Sequence, residues 1–148
     1  MQLTQYTDYS LRVLIYLSQK GEGELATISE IAEFYGISRN HLVKVVHNLA
    51  TNGFIQTLRG KHGGMKLSRP ATEIGVGEVV RKTEPNFYIA ECFNKNNTSC
   101  VIIPICSLKG MLFEARSNFL QVLDRYTIAN TLIPEHGLLE KMNIKLVK

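Results

Sequence analysis

The chain has 148 residues, 45% hydrophobic and 20% charged, which suits one sizeable domain, or a compact domain with an appendage, rather than two full domains. It has no run of eighteen apolar residues, and MQLTQYTDYS lacks the basic flank and apolar core of a signal peptide, so a cytoplasmic location without membrane contact is expected. The formal net charge is +4 and unevenly spread: no Asp or Glu occurs from Phe34 to Thr72, where Arg39, Lys44, Arg59, Lys61, Lys66 and Arg69 stand with His41, His47 and His62.

In chain order, TDYSLRVLIYLSQK carries Tyr9, Val13, Tyr16 and Leu17 at helical spacing, with Thr7 or Asp8 as N-cap and Gly21 and Gly23 ending the run. Thr27-Ile-Ser-Glu30 is a capping-box pattern opening a second helix of about two turns, closed by Gly36, with Ile28, Ile31 and Ala32 on its buried side. Ser38 caps a third helix in which Leu42, Val45, Val46 and Leu49 recur at i, i+3, i+4 and i+7, and Gly53 ends it. Its opposite face and first turn carry Arg39, Asn40, His41, Lys44, His47 and Asn48. Two helices joined by the tight turn Gly36-Ile37-Ser38 make a helix-turn-helix.

Phe54 to Leu58 and Met65 to Leu67 read as two short strands around a glycine-rich basic tip, Arg59-Gly60-Lys61-His62-Gly63-Gly64. The tip lacks the glycine-to-GK spacing of a phosphate-binding loop, and no strand leads from it into a helix, so it reads as a wing suited to the DNA backbone or minor groove. Charge alone would fit a solvated basic face equally well; beside a helix-turn-helix it suits a polyanion. In a two-fold dimer the third helices would enter successive major grooves of an approximately palindromic operator, with Arg39, Asn40 and His41 nearest the base edges. Ser38, Lys44 and Arg59 then fit phosphates or the minor groove, and His47, Lys61 and His62 complete the DNA-binding set. A further helix is expected from about Gly75 to Thr83, with Val76, Val79 and Val80 returning to the core before Pro85.

The cysteines are Cys92, Cys100 and Cys106, with none elsewhere. The loop between the first two (Asn94, Lys95, Asn96, Asn97, Thr98 and Ser99) is polar enough to let three thiolates converge on one soft metal centre, and an odd count cannot close into intrachain disulfides alone. In a reducing cytosol such clustering favours metal or redox chemistry over structural disulfides; the plainer alternative is three unrelated core thiols. No acid-base pair or nucleophile arrangement lies near them, so no enzyme is expected.

Leu108, Leu112, Ala115, Phe119, Val122 and Tyr126 then repeat with alternating gaps of four and three, a coiled-coil seam over about 18 residues. Packing on its own domain is the alternative, but earlier segments already fill that core, so a homodimer is expected. The fold class is therefore mainly α with a small β hairpin: a winged helix-turn-helix over 1–83, a cysteine-rich cluster-binding loop over 84–106, a dimerisation helix over 107–132, and a tail over 133–148 without a clear signal.

LTQYTDYSLRVLIYL, GISRNHLVKVVHNL, the wing LRGKHGG, IGVGEVVRKTEP and the late YTIANTL together resemble, over nearly the whole chain, a family of bacterial iron-sulfur winged-helix repressors. The chain is more similar to its nitric-oxide-sensing branch than to its cluster-assembly branch, because the third helix reads SRNHLVK and Lys109 stands where the latter carries a histidine ligand. The resemblance implies an iron-sulfur cluster on Cys92, Cys100 and Cys106, with four irons favoured and two as the alternative. It also implies a fourth ligand from Asp8 of the partner subunit, with Arg12 as its neighbour, and derepression of nitric-oxide detoxification genes. For Asp8 the plainer role is to cap the first helix and meet its dipole. A hard carboxylate is a weak partner for a soft cluster, which would leave one iron open to a small diatomic ligand. Iron-responsive relatives share the long first cysteine gap, so an iron-responsive or cluster-assembly regulator is the alternative, and a zinc-bound winged-helix regulator a third.

Overall fold

The computed structural model describes residues 2–21, 23–94, 96 and 99–131. Helix α1 (Gln5–Ser18) buries Val13, Leu14, Tyr16 and Leu17. Its N-cap is Thr4, whose side chain accepts from the Thr7 N–H at 3.3 Å; neither Thr7 nor Asp8 caps it. The reason lies far away in the chain: the Thr4 N–H and hydroxyl both donate to Glu84 Oε1, at 2.7 and 3.0 Å. That anchor starts the helix one turn earlier than the local pattern suggests, and it leaves Asp8 inside the first turn.

Helix α2 (Ile28–Tyr35) opens on the expected capping box: Thr27 accepts from the Glu30 N–H at 3.2 Å and Glu30 accepts from the Thr27 N–H at 3.0 Å. It closes at Gly36 in the left-handed conformation. Helix α3 (Arg39–Thr51) buries the four expected apolar residues, Leu42, Val45, Val46 and Leu49. Ser38 stands at its N-cap through its backbone alone: its carbonyl accepts from His41 and Leu42, and its side chain makes no cap hydrogen bond.

Strands β1 (Ile55–Leu58) and β2 (Gly64–Leu67) pair antiparallel, with Ile55 opposite Leu67 and Leu58 opposite Gly64. Ala26 adds an isolated antiparallel rung on the other side of β2, exchanging hydrogen bonds of 3.0 and 2.8 Å with Met65. Gly64 permits this approach, since a Cβ there would lie 2.8 Å from the Ala26 carbonyl oxygen. Helix α4 (Val76–Thr83) follows Gly75 and buries Val79 and Val80 as expected.

Helix α5 (Ser107–Leu123) buries none of its side chains. It ends at Leu123, short of the expected 132, because the following segment turns back onto the winged domain. Asp124 pairs with Arg81 (Oδ2 to Nη2, 2.7 Å), and the Val76 N–H donates to the Tyr126 carbonyl at 2.9 Å. Ile128, fully buried, donates its N–H to Ile74 at 2.8 Å. Asn130 Oδ1 accepts from both the N–H and the hydroxyl of Thr127, a local turn that competes with helix continuation. Tyr126 thus lies beyond the helix whose seam it was expected to share. The tail over 133–148 and Leu132 lie outside the described residues.

Candidate nucleic-acid interface and metal centre

The buried stripe of α3 fixes which of its residues point outward. Arg39, Asn40, Val43, Lys44 and His47 are all exposed, at the spacing of one helical face. Val43 is the residue that sequence reasoning missed: it belongs to neither the polar set nor the buried set, although its spacing of three and four from Asn40 and Arg39 marks it as outward. Helix α1 seats the start of α3. The Tyr6 hydroxyl donates to the Lys44 carbonyl at 3.2 Å, and the Tyr9 ring stacks on His41 with centroids 6.3 Å apart. His41 is exposed, but its ring leans on α1 at the edge of the outward face.

At the wing, Arg59, Lys61 and His62 are exposed on the loop between β1 and β2, and Lys66 is exposed on β2. Arg69 behaves differently. Its guanidinium meets both Glu78 oxygens, at 2.9 and 2.7 Å, and lies 5.5 Å from the Phe54 ring centroid. Among the described residues, Arg39, Lys44, Arg59, Lys61 and Lys66 have no carboxylate partner. Unpaired positive charge is thus present on the outward face of α3 and on the wing, where a phosphate backbone would meet it.

The three thiols are free. Cys92 lies in a single turn of 3-10 helix (Glu91–Phe93), and Cys106 is the N-cap of α5, its Sγ accepting from the Lys109 N–H at 3.4 Å. Both line one cavity of about 460 Å³ with Phe93, Lys109, Gly110, Phe113 and Arg116. The Arg116 guanidinium lies 4.9 Å from the Phe93 centroid and 4.7 Å from the Phe113 centroid, which ties the cysteine loop to α5. Cys100 is exposed and is not among the lining residues. Among the described residues, no three metal-ligating side chains already converge; Lys95, Asn97 and Thr98, in the loop before Cys100, lie outside them.

The donor set fits a thiolate-bound iron-sulfur group. Two soft ligands share a wall, the N-terminus of α5 favours the negative charge such a group carries, and Arg116 adds a cation. Arg116 was not singled out from the sequence; its i+3 spacing from Phe113 on one helix is the signal that could have found it.

Asp8 is not on this wall. Its carboxylate accepts from Arg12 Nε at 2.9 Å, both side chains being about half exposed. Arg12 in turn lies 5.7 Å from the Tyr35 ring centroid. Burial pushes the Tyr35 hydroxyl up to about 12, Arg12 pulling it down and Asp8 adding to the rise. The hydrogen bonds from Thr4 to Glu84 tie the start of α1 to the first residue of the cysteine loop.

The family model Rrf2, described as an iron-dependent transcriptional regulator, matches residues 3–133. The chain belongs to the Rrf2 family. It is similar to the HTH-type transcriptional regulator NsrR of Bacillus subtilis, 48% identical over 145 residues that cover 98% of this chain and 99% of that protein. It is similar also to the NsrR of Oceanobacillus iheyensis, 46% identical over 147 residues, 99% of this chain and 100% of that one. Among solved structures, the oxidized form of Staphylococcus aureus CymR matches with a TM-score of 0.68 at 26% identity, over 86% of this chain and 93% of its own. T. potens IscR matches with a TM-score of 0.71 at 21% identity, over 88% and 85%, which is a likeness of fold. This Rrf2 chain is thus a winged-helix DNA-binding transcriptional regulator and not an enzyme. No helix among its described residues is long and apolar enough to cross a membrane.

Proposed function

We propose that this Rrf2 regulator is a cytoplasmic repressor that binds a palindromic operator as a homodimer, and that nitric oxide releases it by reacting with an iron-sulfur cluster on Cys92, Cys100 and Cys106. The observation that carries the proposal is the shared cavity of Cys92 and Cys106 against the start of α5, with Arg116 beside them. The relatives named NsrR support the nitric oxide reading; four irons are favoured, with two as the alternative, and the fourth ligand to either would be Asp8 of the partner subunit. Thr4 caps α1, so the Asp8 carboxylate has no capping duty, and among the described residues its ion pair is with Arg12. When bound, the cluster supplies an iron that a carboxylate guards poorly against a small diatomic ligand.

The chain's own residues supply the rest. Cys106 accepts a backbone N–H at a helix start, Arg116 holds the Cys92 loop against α5, and Cys100 closes the set. The stripe Leu108, Leu112, Ala115, Phe119 and Val122 meets its equivalent in the second subunit; Leu108 is 59% and Val122 44% exposed without it. Tyr126, half exposed just beyond α5, extends the same contact. The organisation is then a winged domain through Thr83, a cluster loop over 84–106 and a dimerisation helix. Helix α1 links the two activities, carrying Asp8 toward the metal and, one residue on, Tyr9 against His41 of the DNA-reading helix. Arg39, Asn40 and His41 read bases, while Ser38, Lys44, His47, Arg59, Lys61 and His62 hold the backbone or minor groove.

Anaerobic purification tests the metal directly. The wild-type protein is expected brown, with iron and sulfide; Cys92→Ala, Cys100→Ala and Cys106→Ala are each expected colourless, since three thiolates leave no spare soft ligand. Asp8→Ala is expected to retain cluster with an altered spectrum. A colourless wild-type protein containing zinc would replace the iron-sulfur reading. The description of the family as iron-dependent favours a second reading, in which iron supply is the signal, and a chelator arm beside the nitric oxide arm separates the two.

A further inference from the structure

The outward face of α3 carries a single apolar side chain. Val43 is 50% exposed, with Arg39, Asn40, Lys44 and His47 exposed around it. Packing gives no reason for an isopropyl group here: the core contacts of α3 come from Leu42, Val45, Val46 and Leu49. Tyr6 and Tyr9 meet α3 at Lys44 and His41. In the major groove the base edges present hydrogen-bond donors and acceptors, and the one apolar group among them is the 5-methyl of thymine. A β-branched side chain on a helix is nearly fixed at χ1, so it meets such a methyl with little loss of rotamer freedom.

We propose that Val43 is a specificity residue, packing its isopropyl group on the 5-methyl of one thymine in each operator half-site. It sits one turn after Arg39 and Asn40, within reach of a base neighbouring those they face, and adds a preference for thymine that hydrogen bonding alone would not supply. The assignment rests on the DNA-binding reading of α3 and is independent of the cluster and of nitric oxide.

Operators selected from a pool of random duplexes by the anaerobically prepared full chain provide the probe. Each thymine is replaced in turn, in one half-site at a time, by deoxyuridine, which pairs identically and lacks only the methyl. At one position per half-site the wild-type protein is expected to bind about four-fold more weakly, the factor that one buried methyl-sized group is worth. Val43→Ser is expected to bind the thymine and uracil duplexes equally at that position. Val43→Thr, which keeps a γ-methyl, is expected to retain the discrimination. The assignment is overturned if no uracil substitution weakens wild-type binding, or if Val43→Ser discriminates as the wild type does. A pool that enriches no sequence would contradict the DNA-binding reading and this assignment with it.

Discussion

Glu30 serves two helices at once. It completes the capping box of α2 and also accepts from Lys20 Nζ at 2.7 Å and from the Tyr16 hydroxyl at 3.3 Å. Burial alone would raise its pKa, but the Lys20 ammonium, the Thr27 N–H and the Tyr16 hydroxyl outweigh burial and hold the carboxyl below the usual range. A carboxyl depressed on folding stabilises the protein above its unfolded pKa of about 4.3, and that contribution is lost as pH falls through the lower folded value. Glu30→Gln is accordingly expected to cost about 1 kcal/mol at pH 7, measured by urea unfolding, and less at pH 3. An equal cost at both pH values would mean that shape rather than charge holds the site. The local half of this arrangement was legible in the sequence because a capping box spans four residues. Thr4 was not legible as a cap, because its partner Glu84 lies 80 residues away.

Elements meet where glycines allow it, and the neighbouring atoms decide what an added methyl costs. At Gly64 a Cβ would press on the Ala26 carbonyl and on the Leu25 Cβ, at 2.8 and 2.9 Å, and backbone cannot step aside. Gly64→Ala is therefore expected to lose about 2 kcal/mol and to shift the wing, read by thermal unfolding and by weaker operator binding. At Gly77 the obstacle is the Asp124 carboxylate with the tip of Arg81, the far ends of two exposed side chains. There the pair can swing aside while alanine improves the helix, so Gly77→Ala is expected to leave the unfolding midpoint nearly unchanged. If Gly64→Ala proved as harmless as Gly77→Ala, the Ala26–Met65 rung would not be part of the wing in solution. Helices α2, α3 and α4 were readable from caps and apolar spacing, both local. The Ala26 rung and the early end of α5 were not, since each depends on a pairing between distant segments, Ala26 with Met65 and Gly75 with Thr127.

Across the whole molecule, the candidate site was partly legible. Three cysteines in one stretch pointed to a metal centre, and the acid-free block pointed to DNA once a helix-turn-helix stood beside it. What the sequence did not reveal is that Cys92 and Cys106 share a cavity wall that Cys100 does not line, or that Arg116 bridges Phe93 and Phe113. It also did not reveal that α1 touches both halves, through Thr4 to Glu84 and through Tyr6 and Tyr9 to the recognition helix. On the proposed reading, α1 is the element through which a change at the cysteine loop would reach the seating of α3. The most direct test of that account is nitric oxide added in stoichiometric steps to the anaerobic protein on its selected operator, with fluorescence anisotropy and visible absorbance followed on the same sample. The expected result is loss of cluster absorbance in parallel with a fall in operator affinity of about ten-fold or more, a typical coupling between linked sites, with an iron chelator acting more slowly and weakly. Operator affinity untouched by nitric oxide but abolished by the chelator would contradict it and establish iron as the signal.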